Sequence, residues 1–204
     1  AKAIVDAGMI CSIQTGARGL TDERLERARK AGILQIGVSI DGLEATHDAL
    51  RGAKGSWRTA VDALERIRAH EMLPSVNSQI NRLSMPELVA MSQLFIDHGV
   101  TWWQLQLTVP MGRAADRPDL LLQPSDLLEL FPLLVWIQQN RGTPNGLQLR
   151  PGNNVGYYGG FEEHLPIAGA GTIWSSCSAG KFTLGLEADG AIKGCPSLKN
   201  KPNT

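Results

Sequence analysis

Several kinds of chemistry are missing from this chain. Only three of its 204 residues are cysteines, Cys11, Cys177 and Cys195. Three thiols without a secretory leader do not suggest a disulfide scaffold, and a cytoplasmic location is expected. Neither sign of charge dominates, because twenty basic residues meet twenty acidic ones. Nucleic-acid binding rests on excess Lys and Arg that neutralise phosphates, so no nucleic-acid partner is expected. No uninterrupted apolar run approaches the length of a bilayer span, and no charged-then-apolar leader opens the chain, so no membrane partner is expected either. Neither a Walker A loop nor a G-x-G-x-x-G turn follows a strand, which removes the main support for phosphate-cradle and dinucleotide readings. The histidines (His47, His70, His98, His164) show no ligand spacing. His70 and His98 fall in the last turns of predicted helices, where a partly positive ring suits the dipole.

What is present is an ordinary globular composition, 43% hydrophobic and 20% charged, with the length of one domain. Strands alternate with helices through the first 150 residues. Strands are predicted over residues 9–14, 33–40, 74–80 and 100–109. Thr21 reads as an N-cap, followed by Asp22 and Glu23 in the first turn and stopped at Gly32. Ser56 reads as the cap of a helix carrying Trp57, Val61, Leu64 and Ile67 on one face. Ser84-Met85-Pro86-Glu87 reads as a capping box ahead of Leu88, Met91 and Phe95. A fourth helix is predicted over residues 125–140, kinked or delayed by Pro132. This alternation predicts right-handed crossovers and a parallel sheet of the α/β class, with four units where a standard barrel needs eight. After Arg150 the texture turns glycine-rich. Short strands around Asp189-Gly190 suggest a smaller second module.

Ligands of parallel α/β folds sit at the carboxyl ends of the strands. The polar residues there are Thr15, Ser39 with Asp41, Asn77 with Gln79 and Asn81, and Gln104 with Gln106. They are mostly neutral hydrogen-bonding groups, without a carboxylate pair or a Ser–His–acid set. Such a surface binds more than it exchanges protons, as expected where a cofactor does the chemistry. Taken singly, each residue is as well explained by satisfying loop backbone. Cys177 and Cys195 flank the small hairpin and could be half of an iron–sulfur or zinc set, or two buried thiols packing as small hydrophobes. Cys11 is most simply a core residue.

A more specific pattern runs from β-strand to helix at Ser39-Ile40-Asp41-Gly42, His47-Asp48 and Arg51-Gly52, followed by Gly55-Ser56-Trp57. It resembles the fourth strand and following loop of radical S-adenosylmethionine (radical SAM) enzymes, in particular those with a SPASM-type cluster domain. Pro110-Met111-Gly112-Arg113-Ala114 is similar to that family's P-x-G-R turn, and Cys177, Gly190 and Cys195 follow the opening spacing of the SPASM signature. The resemblance covers nearly the whole chain. It implies a partial (β/α) barrel, strands three to six, over residues 1–150, then a connecting segment over 151–176 and a truncated SPASM-like hairpin module over 177–204. It implies that Ser39, Arg51, Asn77, Gln79, Gln104 and Gln106 hold S-adenosylmethionine, and that Cys177 and Cys195 ligate an auxiliary [4Fe–4S] cluster. Asp41 and His47 belong to the motif too, though a turn-forming Asp and a surface His explain them equally well.

The resemblance also implies an activity: a 5′-deoxyadenosyl radical made at a [4Fe–4S] cluster, used to modify a peptide or protein, with a flavodoxin or ferredoxin as electron donor. The C-x-x-x-C-x-x-C motif that holds the catalytic cluster is absent, as is the glycine-rich segment after strand two. The chain is therefore expected to be an internal piece of its parent, inactive alone. Two rivals stand beside this reading. One is a non-catalytic descendant of the barrel that binds a peptide or small molecule. The other is an iron-free lyase or isomerase, which lacks an obvious strand-end base other than Asp41. The loop 152–160, with Tyr157 and Tyr158, reads as a linker rather than a substrate entrance.

Overall fold

In a computed structural model the described residues are 1–152, 155, 159–165, 179–181, 184–187 and 189–195. They fall into two compact units, Ala1–Trp174 and Ser175–Thr204. In the first, a short helix α1 (Lys2–Asp6) precedes β1 (Ser12–Thr15), α2 (Asp22–Lys30), β2 (Gln35–Ser39), α3 (Glu44–Arg51) and α4 (Ser56–Ala69). Then come β3 (Leu73–Ile80), α5 (Leu88–Asp97), β4 (Trp102–Leu107), α6 (Leu127–Ile137), the three-residue turn α7 (Thr143–Asn145) and β5 (Gln148–Pro151). All five strands are parallel, and their order in the sheet is their order in the chain.

That order decides where the helices lie. Successive same-handed crossovers, each to the next neighbour, put every helix on one face. The burial pattern agrees. Ile36, Val38, Val76, Ile80, Trp103, Leu105 and Leu149 are buried on the helix-covered back face. They meet Leu25 of α2, Leu64 and Ile67 of α4, Met91 and Phe95 of α5, and Leu130 and Leu134 of α6 within one core. Trp103 sits edge-on to Phe95, ring centroids 4.9 Å apart, and its indole N–H donates to Ser78 Oγ at 2.9 Å. The alternate residues Gln14, Ser39, Asn77, Gln79, Gln104, Gln106 and Arg150 point to the opposite, front face, since strand side chains alternate.

Several local expectations hold, and others are replaced. Thr21 Oγ1 accepts from Arg24 N–H, and Gly32 takes the left-handed φ of +82° just after α2. The start of α4 is not capped by Ser56, which lies inside the first turn. The Asp48 carboxylate accepts instead from the N–H groups of Gly55 and Trp57 and from the Ser56 hydroxyl. The capping box at Ser84 does not form either. Glu87 turns away to a partner more than forty residues earlier, and Ser84 Oγ accepts from Asn81 N–H. The fourth helix is composite: a 3-10 turn Pro124–Asp126, α6 with Pro132 inside it, and a π-helical turn Gln138–Gly142.

Two sequence expectations need correction here. A fifth strand, β5, follows the four predicted ones; with four residues, one of them Pro151, it is too short to show a period. The segment Pro118–Asn145 does reach the length and mean hydropathy (1.5) of a membrane-spanning helix. Its apolar run is interrupted in sequence by Asp126 and Glu129, and Leu130, Leu134 and Ile137 are fully buried against the sheet, which accounts for the hydropathy. In the second unit, β6 (Gly185–Leu186) pairs antiparallel with β7 (Ile192–Lys193).

Candidate functional site

The loop that leaves β2 is built by its own acids and its histidine. Asp41 is buried; one carboxylate oxygen accepts from Gln79 N–H at 3.0 Å, and the other pairs with the Arg51 guanidinium at 2.6 Å. The Asp41 N–H donates to His47 Nδ1 at 3.1 Å. That bond requires a neutral ring. His47 is only 2% exposed, which corrects its reading as a surface residue. Burial lowers its pKa below the ordinary imidazole value, with Arg51 adding to the effect and Asp41 and Asp48 opposing it.

Helix α3, which carries Arg51 at its last position, is held from outside. Glu87 Oε2 accepts from Leu43 N–H at 2.7 Å, and Glu87 Oε1 from the Thr46 hydroxyl at 2.7 Å. An acid at the first turn also opposes the positive end of the helix dipole. Gly42 makes this approach possible. A Cβ there would lie 2.6 Å from Thr46 Cγ2 and 2.8 Å from Glu87 Oε2. At the other end α3 stops at Gly52, in the left-handed conformation. Arg51 is thereby fixed over the carboxyl ends of the strands.

There a pocket of about 490 Å³ opens, lined among others by Asp41, Arg51, Gln79, Asn81, Thr108 and Arg113. Two of its lining residues each carry a buried polar atom without a hydrogen-bond partner, Arg51 Nε and Thr108 Oγ1. Buried polar atoms left unpaired cost free energy, so an orphaned donor in a pocket wall is a place for a ligand acceptor. Asn81 plays the plainer part: its Oδ1 accepts from the N–H groups of Leu83 and Ser84, closing the turn after β3.

The chain is 29% identical over 122 residues to the AdoMet-dependent heme synthase of Methanosarcina barkeri, a match covering 59% of this chain and 34% of that protein. It is 24% identical over 115 residues to the sporulation killing factor maturation protein SkfB of Bacillus subtilis, covering 55% of this chain and 28% of SkfB. It superposes on Streptococcus suis SuiB, solved with S-adenosylmethionine, with a TM-score of 0.71 at 12% identity, over 98% of this chain and 47% of SuiB. The chain is a homologue of radical SAM enzymes. No protein-family model matches it. It spans less than half the length of each of these three relatives.

Of the residues that the radical SAM resemblance points to, Arg51 and Gln79 line the pocket. Ser39, Asn77 and Gln104 stand side by side in one cross-strand row that continues to Arg150, on the front face. In the next row the Gln79 amide donates to Gln106 Oε1 at 2.7 Å. Asn77 donates to Gln14 Oε1 at 2.7 Å, and Gln14 lies over Gly37, where any Cβ would collide with it. Cys177 lies outside the described residues. Cys195 is half-buried in the second unit, and Cys11 packs against the main core. Among the described residues no group of three or more His, Cys, Asp or Glu could hold a metal ion. Most of the loop 152–160, Tyr157 and Tyr158 included, is outside the described residues.

The residue reading passed over Gln14, Thr108 and Arg150. Gln14 was legible in principle from its place at the end of the predicted strand 9–14, whereas β5 is too short to have marked Arg150. Arg150 lies over the Trp102 ring, and desolvation there lowers its pKa. Thr108 had no signal, because only the fold leaves its hydroxyl buried and unpartnered.

Proposed function

We propose that this chain is the central part of a radical SAM enzyme and that its pocket binds S-adenosylmethionine. One observation carries the reading: Arg51 is anchored by Asp41 and lines a pocket of cofactor size, with its Nε buried and unpartnered. A planar guanidinium so held offers a fixed N–H to a ribose or carboxylate oxygen. Bound S-adenosylmethionine, reduced at a [4Fe–4S] cluster, would supply hydrogen-atom abstraction from an unreactive carbon. The chain's own residues position and shield. Gln79 extends the polar wall beside Arg51, and Ser39, Asn77, Gln104 and Gln106 present neutral hydrogen-bonding groups along the approach. None of them is a base, so none competes for a proton.

The residues present do not fit a catalytic cluster, since three closely spaced thiolates are required and the sequence has none. No step through that cluster is assigned to this chain, which as given is expected to be inactive. Cys177 and Cys195 are proposed as ligands of an auxiliary [4Fe–4S] cluster, and residues 177–204 as the start of its SPASM-like module. The parent would act on a peptide or protein with electrons from a flavodoxin or ferredoxin, in the reducing cytoplasm. Support for the peptide comes from SkfB, named as a maturation protein, and from SuiB, also solved bound to its precursor peptide SuiA.

Titration calorimetry with S-adenosylmethionine tests the proposal. The full-length protein should bind it, and Arg51→Gln should weaken binding about tenfold or more. Equal affinity in both proteins would sink the assignment of Arg51.

A further inference from the structure

Three arginines line the pocket, and their charges are not equally matched. Arg51 meets Asp41, and Arg117 is joined to Asp119 with a closest approach of 2.7 Å. Arg113, on the 3-10 turn Gly112–Asp116, has no ion pair among the described residues. The wall around it is apolar at Met111 and Leu120 and carries the orphaned Thr108 hydroxyl. Such an edge asks for an anion with a second oxygen to spare. S-adenosylmethionine does not answer that description well: with its sulfonium, ammonium and single carboxylate it is a net cation, and a further unmatched arginine repels it.

We propose that Arg113 and the Thr108 hydroxyl form a subsite for a carboxylate of the substrate in the pocket that the Asp41–Arg51 pair also lines. The guanidinium supplies the charge and a forked pair of donors, and the hydroxyl donates a third hydrogen bond. The inference rests on the S-adenosylmethionine reading of the same pocket and adds the class of molecule that enters beside it. A carboxylate could come from the rim of a tetrapyrrole, the product class named for the heme synthase relative, or from an acidic residue of a peptide. The shared chemistry is the carboxylate.

The experiment uses the full-length protein, with Arg113→Gln and Arg113→Lys. Arg113 is exposed on a turn, and circular dichroism confirms that both variants fold. Binding is measured for four probes: coproporphyrin, its tetramethyl ester, a peptide with one Glu, and the same peptide with Gln. S-adenosylmethionine is titrated separately. The acid form of one pair should bind wild type better than its neutral partner. Arg113→Gln should weaken that acid about tenfold or more and remove the preference, while Arg113→Lys keeps part of it. Affinity for S-adenosylmethionine should stay within about twofold. Which acid depends on Arg113 identifies the source. The inference is overturned if neither acid is preferred, if Arg113→Gln leaves the acids unchanged, or if S-adenosylmethionine weakens in parallel. Arg113-dependent carboxylate binding in a wild type that does not bind S-adenosylmethionine would sink the cofactor reading and leave the subsite standing.

Discussion

The two faces of the sheet are made from the same strands and obey opposite rules. On the back face each residue is fixed by packing: Trp103 is fully buried between Phe95 and Ser78, and no substitute has its shape and its N–H together. On the front face the side chains bond mainly to one another, Gln79 to Gln106 and Asn77 to Gln14, with no helix over them among the described residues. Apolar packing is thus concentrated on one side, and the other carries polar side chains. A doubly wound sheet has no such asymmetry, because helices cover both faces.

The comparison can be broken most decisively at Trp103. Trp103→Ala should cost about 3–5 kcal/mol, seen as a large drop in the denaturation midpoint. Trp103→Phe should cost clearly less, because it mainly loses the indole N–H bond. Little change in either would mean that the back face does not carry the fold. Next comes the cap that Glu87 lends α3: Glu87→Ala should cost about 1 kcal/mol in the same measurement and also weaken S-adenosylmethionine binding, by loosening the helix that holds Arg51. Loss of stability with unchanged ligand affinity would show that α3 needs no outside support.

Acid should act through His47. Its folded pKa lies below the unfolded value, so its contribution to stability is complete above about pH 6.5 and declines as pH falls below that. Denaturation midpoints between pH 7.5 and 5.5 should therefore fall, and in His47→Gln that part of the slope should disappear. The smallest effect sharpens the contrast. Gln104→Ala and Gln106→Ala should change stability by less than about 0.5 kcal/mol. Their cost should appear in ligand affinity alone; a loss of fold stability would show that the front face is structural as well.

The same asymmetry governs what the sequence made legible. Back-face burial leaves a period in the residues, so α4 is readable from Val61, Leu64 and Ile67, and the three longer strands, β2, β3 and β4, from their alternation. Caps are less legible, since a carboxylate's partner depends on what the fold brings near it. Glu87 three residues after Ser84 matches a local capping box, yet it closes a contact with Leu43. The motif around Asp41, His47, Asp48 and Arg51 was recognisable as a pattern, but the division of labour within it was not. Three of its members build the loop and helix caps, and Arg51 is the one they present. Gln79 and Arg51, singled out from strand-end position and motif, both line the pocket. Thr108 and the unmatched charge of Arg113 become visible only when the pocket exists.

The Glu87 contact also sets an order of events during synthesis. Residues 41–51 hold the loop, the histidine and the arginine, but the acid that ties down the start of α3 emerges from the ribosome some forty residues later, after β3. Until then α3 is an eight-residue helix with its first N–H groups unsatisfied, too short to persist alone. Arg51 is therefore aimed only once the next βα unit has docked. A nascent chain halted before Glu87 would have the Asp41–Arg51 motif in its sequence and no fixed Arg51 in space.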